Sequence, residues 1–328
     1  MAVDTINNAP IVALKSEPKP RSLIQIAIRR YLRHRMAVFG TFLLLGVILF
    51  ITLGSLFYRE SEGNMTRLRG REAPPGTLIT VDRRGDSGEM KTAILGTDIS
   101  GRDVFIRLIY GGQISIAIGV TSVTIAVTLG TIIGLVAGYF GGWVDGILSR
   151  ITEVFLAIPA LILLLVLSAV FSKDTATVEL FGRTLSRTVI YIVLLIGFTS
   201  WMPLSRIVRS QVLSIKEQEY ILAARAIGVR NFAIIFRHLL PNVVAPIVVA
   251  ATLGVGTAII TEAYLSFLGF GVQPPTATWG NIIDGARGHI DNRWWLWVFP
   301  GSMIVMTVLA INFIGDGLRD ALDPRSIE

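Results

Sequence analysis

The sequence contains no cysteine, only three histidines, and few charges: 16% of its 328 residues are Asp, Glu, Lys or Arg. Without cysteine there is no disulfide framework, no thiolate nucleophile and no Cys-ligated zinc or iron–sulfur site. The histidines, at 34, 238 and 289, are too scattered for a local metal motif. No G-x-x-x-x-G-K-[ST] string occurs. The nearest run, Gly96 to Asp103, lacks the Lys and Ser/Thr that reach phosphate and Mg²⁺. H-E-x-x-H and G-x-S-x-G are also absent. No catalytic, cofactor or metal site is expected, and any work against a gradient must draw its energy from another protein. The formal charge of +7 could suggest nucleic acid. Basic cytoplasmic loops of a membrane chain account for it more simply, so no nucleic-acid partner is expected.

What is abundant is uncharged sequence. Hydrophobic residues make up 52% of the chain and mean hydropathy is +0.64. Charge-free runs cover 36–58, 108–144, 154–172, 188–205, 239–261 and 294–315. About 20 apolar residues cross a hydrocarbon core, so the sequence predicts six transmembrane helices. The second run is too long for one straight span, and its glycines predict a helix end near Tyr139. A further uncharged run, 263–283, holds Gln273, Pro274, Pro275, Trp279 and Asn281, and reads as a loop or re-entrant segment. Residues 1–21 read as a disordered cytoplasmic tail with no cleaved signal peptide. Residues 22–35 read as an amphipathic helix, either on the membrane interface in contact with lipid or packed on neighbouring protein. The first span, 36–58, leads to an extracytoplasmic loop, 59–107, and the core, 108–328, carries five more spans. Lys and Arg outnumber acids seven to two in residues 1–35 and six to two in 205–241. That bias places both termini and the 206–241 loop in the cytoplasm. Gly130, Gly134, Gly138 and Gly142, spaced by four, predict close approach of another helix.

The loop at 206–241 is long and reads as helices. Lys216–Ile227 is rich in helix formers, Gly228 follows as a stop, and a second helix is expected over about 230–239, before Pro241. Ala223 and Ala224 offer a flat face, flanked by Glu219 and Arg225, that suits either another protein's groove or packing of a short helical hairpin under the bundle.

Ala223-Ala224-x₃-Gly228-x₁₁-Leu240-Pro241 resembles the loop signature of inner-membrane permease subunits of ATP-binding-cassette importers. The signature's Glu is Leu222 here and its Ile is His238; Glu219 stands one turn earlier. Three further strings resemble the C-type subunit of dipeptide/oligopeptide/nickel permeases: Leu95-Gly96-Thr97-Asp98-x-x-Gly101-Arg102-Asp103, Leu268 to Pro275 with Trp279-Gly280, and Gly315 to Pro324. The resemblance implies an all-α type I importer permease of six spans plus an interfacial helix, in the cell inner membrane. It further implies a second homologous permease completing the pore, two cytoplasmic ABC ATPases and an extracytoplasmic solute-binding protein. Short peptides would be the substrate, with nickel or another small solute as the alternative within the class. Glu219, Ala223, Ala224, Arg225, Gly228, Leu240 and Pro241 would dock an ATPase. Gly96, Asp98, Gly101, Arg102, Asp103, Pro274, Pro275 and Trp279 would belong to segments facing the binding protein, with the Pro-Pro and Trp residues forming either a gate or a packed turn. ATP hydrolysis would lie in the partners, so the chain is not expected to be an enzyme. An ion-gradient transporter is the competing reading. It requires intramembrane acids with basic partners, and Glu153 and Glu262 stand at predicted span ends without evident ones. Ser115, Thr121, Ser122, Thr124 and Thr128 are candidate pore-lining groups, unless helix packing explains them.

Overall fold

The computed structural model describes residues 23–67, 70–80, 90–180, 182–288 and 290–322. The tail expected at 1–21 lies outside them. Helix α1 (Leu23–Arg33) leads through His34, which caps α2 (Arg35–Phe57) by accepting the Ala37 N–H at 3.0 Å. A short α3 (Glu60–Asn64) and an antiparallel pair, β1 (Thr77–Thr80) with β2 (Met90–Ala93), follow.

Helix α4 (Val104–Phe140) is the axis of the fold. Its 37 residues rise about 55 Å, well beyond a hydrocarbon core of about 30 Å. It begins four residues before the charge-free run and ends at Gly141, close to the expected stop. Asp103 caps its first turn, accepting Ile106 N–H at 3.2 Å.

The third expected span, 154–172, is not one straight helix. Helices α5 (Gly142–Ala157) and α6 (Ala160–Phe171) meet at 82°. Pro159 explains the break: it has no N–H to donate, and it forces Ile158 into extended backbone. The hairpin β3 (Thr177–Leu180)–β4 (Arg183–Ser186) joins this pair to α7 (Thr188–Thr199) and α8 (Met202–Ile215). Among the described residues, five helical segments are long and apolar enough to cross a membrane, or six if the bent pair counts as one.

Helix α8 packs along α4. A Cβ placed on Gly130, Gly134 or Gly138 would lie within 2.8 Å of Trp201 O, Ser205 O or Val212 Cβ, respectively. Three of the four spaced glycines thus admit a neighbouring helix. Gly142, beyond the break, faces open space.

After α9 (Glu219–Ala226) and α10 (Asn231–Ile234), a π turn at Ile235–Leu239 runs directly into α11 (Leu240–Phe267). The expected helix over 230–239 is therefore continuous with the next span. The reason is local. Pro241 cannot donate to the carbonyl four residues back, and the register shifts so that Leu240 N–H reaches Ile235 O. Asn242 Nδ2 takes up the His238 carbonyl at 2.6 Å. The uncharged run 263–283 is the end of α11, a loop and the short α12 (Trp279–Asp284), as its prolines indicated. Helix α13 (Trp295–Leu322) closes the fold against α2 and α11. Its Gly317 lies against Ala37 and Tyr31, which seats the C-terminal motif under α1.

Candidate functional site: two ends of the helical bundle

At one end, α9 and α10 form a helical hairpin beneath α4, α8 and α11. Ile221, Ile234, Ile235 and Leu239 are buried with Tyr139, Val208 and Val212 in one apolar cluster. Tyr139 donates to Asn231 Oδ1 at 2.7 Å, and Lys216 Nζ donates to Gly138 O at 3.0 Å. The hairpin is thus bound to the ends of the long helices and must move with them.

Its opposite face is bare and apolar. Leu222, Ile227, Phe232 and Phe236 are exposed, Ile227 to 82%, and the two phenylalanine rings stack at 4.3 Å. An exposed apolar patch of this kind is a surface that a partner protein or lipid would cover. Of the residues expected there, Glu219, Ala223, Arg225, Gly228 and Pro241 are exposed and Leu240 is half-buried. Gly228 has φ +79°, which only glycine adopts without strain. Ala224 is a correction: it faces the core, so the bare face is Ala223 with Leu222 and Ile227 rather than an Ala-Ala pair. Arg225 is also less free than expected, because its guanidinium lies 4.9 Å from the Tyr139 ring centre. The sequence reading missed Phe232 and Phe236. Their i, i+4 spacing was visible, but an apolar pair on a short helix reads equally well as core.

At the other end the loops fold onto the entrance of α4. Asp98 Oδ1 accepts the Ser100 and Arg102 N–H groups, each at 2.9 Å, and Oδ2 accepts Arg102 Nε at 2.6 Å. Gly101 is in left-handed backbone with Arg67 O against its Cα, leaving no room for a side chain. Gly96 lies against Ala73 O and the Trp295 indole. Gly96, Asp98, Gly101 and Asp103 are buried and Arg102 is partly so. These motif residues build the loop rather than offer a contact face. Burial pushes the Asp103 carboxyl above its ordinary value, with the Ile106 N–H opposing. Trp279 is fully buried in a packed turn, donating Nε1 to Leu108 O at 3.0 Å. Pro274 and Pro275 are exposed at the loop tip.

Asn281 completes this end. Its Oδ1 accepts Thr278 N–H at 3.0 Å and Arg107 Nη2 at 3.3 Å, while Nδ2 donates to Val272 and Thr276 carbonyls. The capping pattern Thr278-x-x-Asn281 was the available signal.

Between the two ends, a cavity of about 530 Å³ opens among α4, α5, α6, α7, α8 and α11. Ser122, Thr199, Ser200, Thr257 and Thr261 supply its hydroxyls, Pro159 stands at the α5–α6 break, and no lining residue is ionisable. Of the five candidate pore groups, Ser122 lines it. Thr121, Thr124 and Thr128 bond back to carbonyls of their own helix, and Ser115 is buried elsewhere. Glu153 is half-exposed and pairs with Arg150 at 3.3 Å. Glu262 is fully buried rather than reaching the interface, and its partners are hydroxyls: Ser115 at 3.2 Å and Ser266 at 2.6 Å.

Long apolar helices packed around a largely apolar cavity, with a few hydroxyls in its wall and an exposed apolar hairpin at one end, are the architecture of a multi-pass membrane protein. Residues 130–328 match the family described as the binding-protein-dependent transport system inner membrane component. Residues 22–75 match the N-terminal TM domain of oligopeptide transport permease C. The chain belongs to this family of inner-membrane permeases. It is 38% identical over 299 residues to the dipeptide transport system permease protein DppC of Alkalihalophilus pseudofirmus, covering 91% of this chain and 89% of that one. It is 34% identical over 313 residues to the oligopeptide transport system permease protein OppC of Bacillus subtilis, covering 95% and 93%. A structure of the MetNI methionine ABC transporter in inward-facing conformations shares the fold, with a TM-score of 0.50 and 23% identity, over 66% of this chain and 96% of that one.

Proposed function

We propose that the chain forms half of a translocation pore for short peptides in a binding-protein-dependent ABC importer, and that ATP hydrolysis takes place in separate subunits docked on residues 216–241. The observation that carries this reading is the α9–α10 hairpin: Ile221 and Ile234 are packed into the transmembrane core while Leu222, Ile227 and Phe232 are bare. Such an element can accept force on one face and deliver it to α4, α8 and α11 on the other. A nucleotide shifts a conformational equilibrium only through differential affinity, and the docked ATPases would supply it. The substrate class rests on the names of the DppC and OppC relatives and on the cavity wall, whose uncharged hydroxyl and apolar groups suit peptides of varied charge. Basic residues in 1–35 and 205–241 support a cytoplasmic hairpin and cytoplasmic termini, which puts the loop end of α4 outside, toward a binding protein. A second homologous permease would complete the pore wall and two ATPases would complete the complex. Residues 22–35 would lie on the cytoplasmic membrane face.

The test is co-purification of the tagged chain in mild detergent. A second permease and P-loop ATPases are expected to accompany it, and Gly228→Asp is expected to lose the ATPases while keeping the permease pair. Recovery of the chain alone, with no ATPase in several detergents, would overturn the reading. Reconstituted complex with its binding protein should then show ATPase stimulation by trialanine and not by nickel chloride.

A further inference from the structure

Among the described residues, Glu262 is the one fully buried acid on a spanning helix, and the transport reading has no use for it. No basic side chain pairs with it among the described residues; its partners are hydroxyls. Ser266, one turn along α11, donates to Oε1 at 2.6 Å, and Ser115 of α4 donates to Oε2 at 3.2 Å. Each hydroxyl in turn accepts a backbone N–H from the loop region: Val272 N to Ser266 Oγ at 3.1 Å, and Trp279 N to Ser115 Oγ at 3.1 Å. A hydroxyl has one proton to give. Each of these, facing an N–H on its other side, directs that proton to Glu262. Two such relays converge on one carboxyl group from either side of the exposed Pro274–Pro275 tip, and the Thr278 hydroxyl, which accepts Asn281 N–H at 3.1 Å, also faces it. The surroundings leave little slack, since a Cβ on Gly280 would lie 2.7 Å from Ala263 Cα.

We propose that Glu262 is a positioning residue that ties α4, α11 and the 268–278 loop into one body, and so fixes where Pro274 and Pro275 stand at the outer mouth of the pathway. The location of that mouth rests on the reading under "Proposed function"; the tie itself does not. A carboxyl serves here because both its oxygens accept. Glu262→Gln keeps the size but turns an NH₂ toward a hydroxyl that already accepts an N–H, so one relay loses its acceptor. When α4 and α11 shift relative to one another, the Ser115 bond between helices is the one that must break. The Ser266 bond lies within α11 and travels with it.

The chain's lack of cysteine makes a clean test possible. Pro274→Cys provides one spin-label site in this subunit, studied in the assembled complex with cysteine-free partners in lipid nanodiscs. The parent is expected to give a single immobile line shape. Glu262→Gln and Ser115→Ala are each expected to add a mobile component and to lower trialanine uptake roughly tenfold, about the worth of one hydrogen bond. An unchanged line shape in an assembled variant overturns the proposal, and so does a mobile label with undiminished uptake. If Glu262→Gln does not assemble, Ser115→Ala decides alone by the same two readouts. Adding the binding protein to the parent should further restrict the label. If it does not, the outer-mouth reading fails while the line shapes still judge the tie.

Discussion

Arg183 holds Glu60 with two hydrogen bonds, Nε to Oε2 at 2.7 Å and Nη2 to Oε1 at 2.9 Å, across 123 residues of sequence. Its third nitrogen donates to Gln113 Oε1 at 2.9 Å, and the guanidinium lies 5.0 Å from the Tyr110 ring centre. One side chain thus joins the β3–β4 hairpin, α3 and α4. Lysine has neither the planar fork nor the donors to replace it. Arg183→Lys and Glu60→Gln should each cost about 1.5–3 kcal/mol, the range for hydrogen bonds to charged groups. Thermal unfolding of the solubilised complex and protease cleavage within the hairpin would report this. The double variant should cost little more than either single one, because both remove the same contact. Fully additive losses would show that the pairing is not the source.

The α4–α8 contact gives a sharp contrast between glycines. At Gly134 an added Cβ would sit 2.7 Å from both Ser205 O and Val208 Cβ, and the first of these is backbone. Gly134→Ala must push the helices apart at a cost of about 1–3 kcal/mol, the usual range for overpacking, and Gly134→Leu should block assembly. Gly146, inside α5, meets nothing within 4 Å. Gly146→Ala should be neutral or stabilise by up to about 1 kcal/mol through helix propensity. Melting temperatures of the two alanine variants in one detergent would test the pair. Equal effects would mean that the glycine spacing does not set this contact.

These contrasts show what a one-dimensional pattern can and cannot carry. Charge-free runs located the long helices because a missing charge is a property of each residue. The stop after Phe140 and the turn at Gly228 were readable for the same local reason. The 82° bend at Ile158–Pro159 was signalled by Pro159, yet a hydropathy run passes through it unbroken. The π turn needed the joint effect of Pro241 and the continuing α11. The site was legible as motif and not as role. Asp98 and Trp279 were found, but whether a motif residue faces a partner or the core depends on packing from segments far away in sequence. Trp295, which closes on Gly96 and donates to Thr97 O at 3.2 Å, lies 198 residues from that carbonyl's residue. Glu262 looked terminal because its span was counted from charge to charge, whereas α11 runs on to Phe267.

Asp98 and Asp103 stand five residues apart in the same motif and should respond in opposite ways to loss of charge. Asp98 binds the Arg102 guanidinium and two backbone N–H groups, so Asp98→Asn removes a charged partner and should cost about 1–3 kcal/mol. Asp103 caps α4, a task asparagine performs as well, and for its charge the cost of burial outweighs the attraction of the nearby Arg67 guanidinium. Burial raises its folded pKa above that of the unfolded chain. The native state therefore binds the proton more tightly, and this group's contribution falls as pH rises from the ordinary aspartate value through the folded one. Asp103→Asn should be neutral or mildly stabilising at neutral pH and should flatten that part of the stability profile. Asp103→Ala, which loses the cap, should cost about 1 kcal/mol. Thermal denaturation between mildly acid and neutral pH separates the cases, and a stability loss in Asp103→Asn matching Asp98→Asn would contradict this assignment of roles.

The hairpin supplies a test in which two isoleucines six residues apart must fail differently. Ile227 is 82% exposed at the end of α9, while Ile221 is fully buried against the transmembrane core. Ile227→Asp leaves the fold intact, because a charge there remains in water. It places an unpaired carboxylate in the centre of an apolar contact and should weaken ATPase retention at least tenfold, about 1.4 kcal/mol. Ile221→Asp buries a charge with no partner and should prevent the chain from accumulating at all. Phe232→Ala should fall between the two outcomes, lowering retention without affecting assembly of the permease pair. Quantitative pull-down from membranes with matched permease levels distinguishes these results. If Ile227→Asp retained the ATPases as well as the parent does, the docking face would have to lie elsewhere on the chain, and the bare surface of α9 and α10 would need another partner.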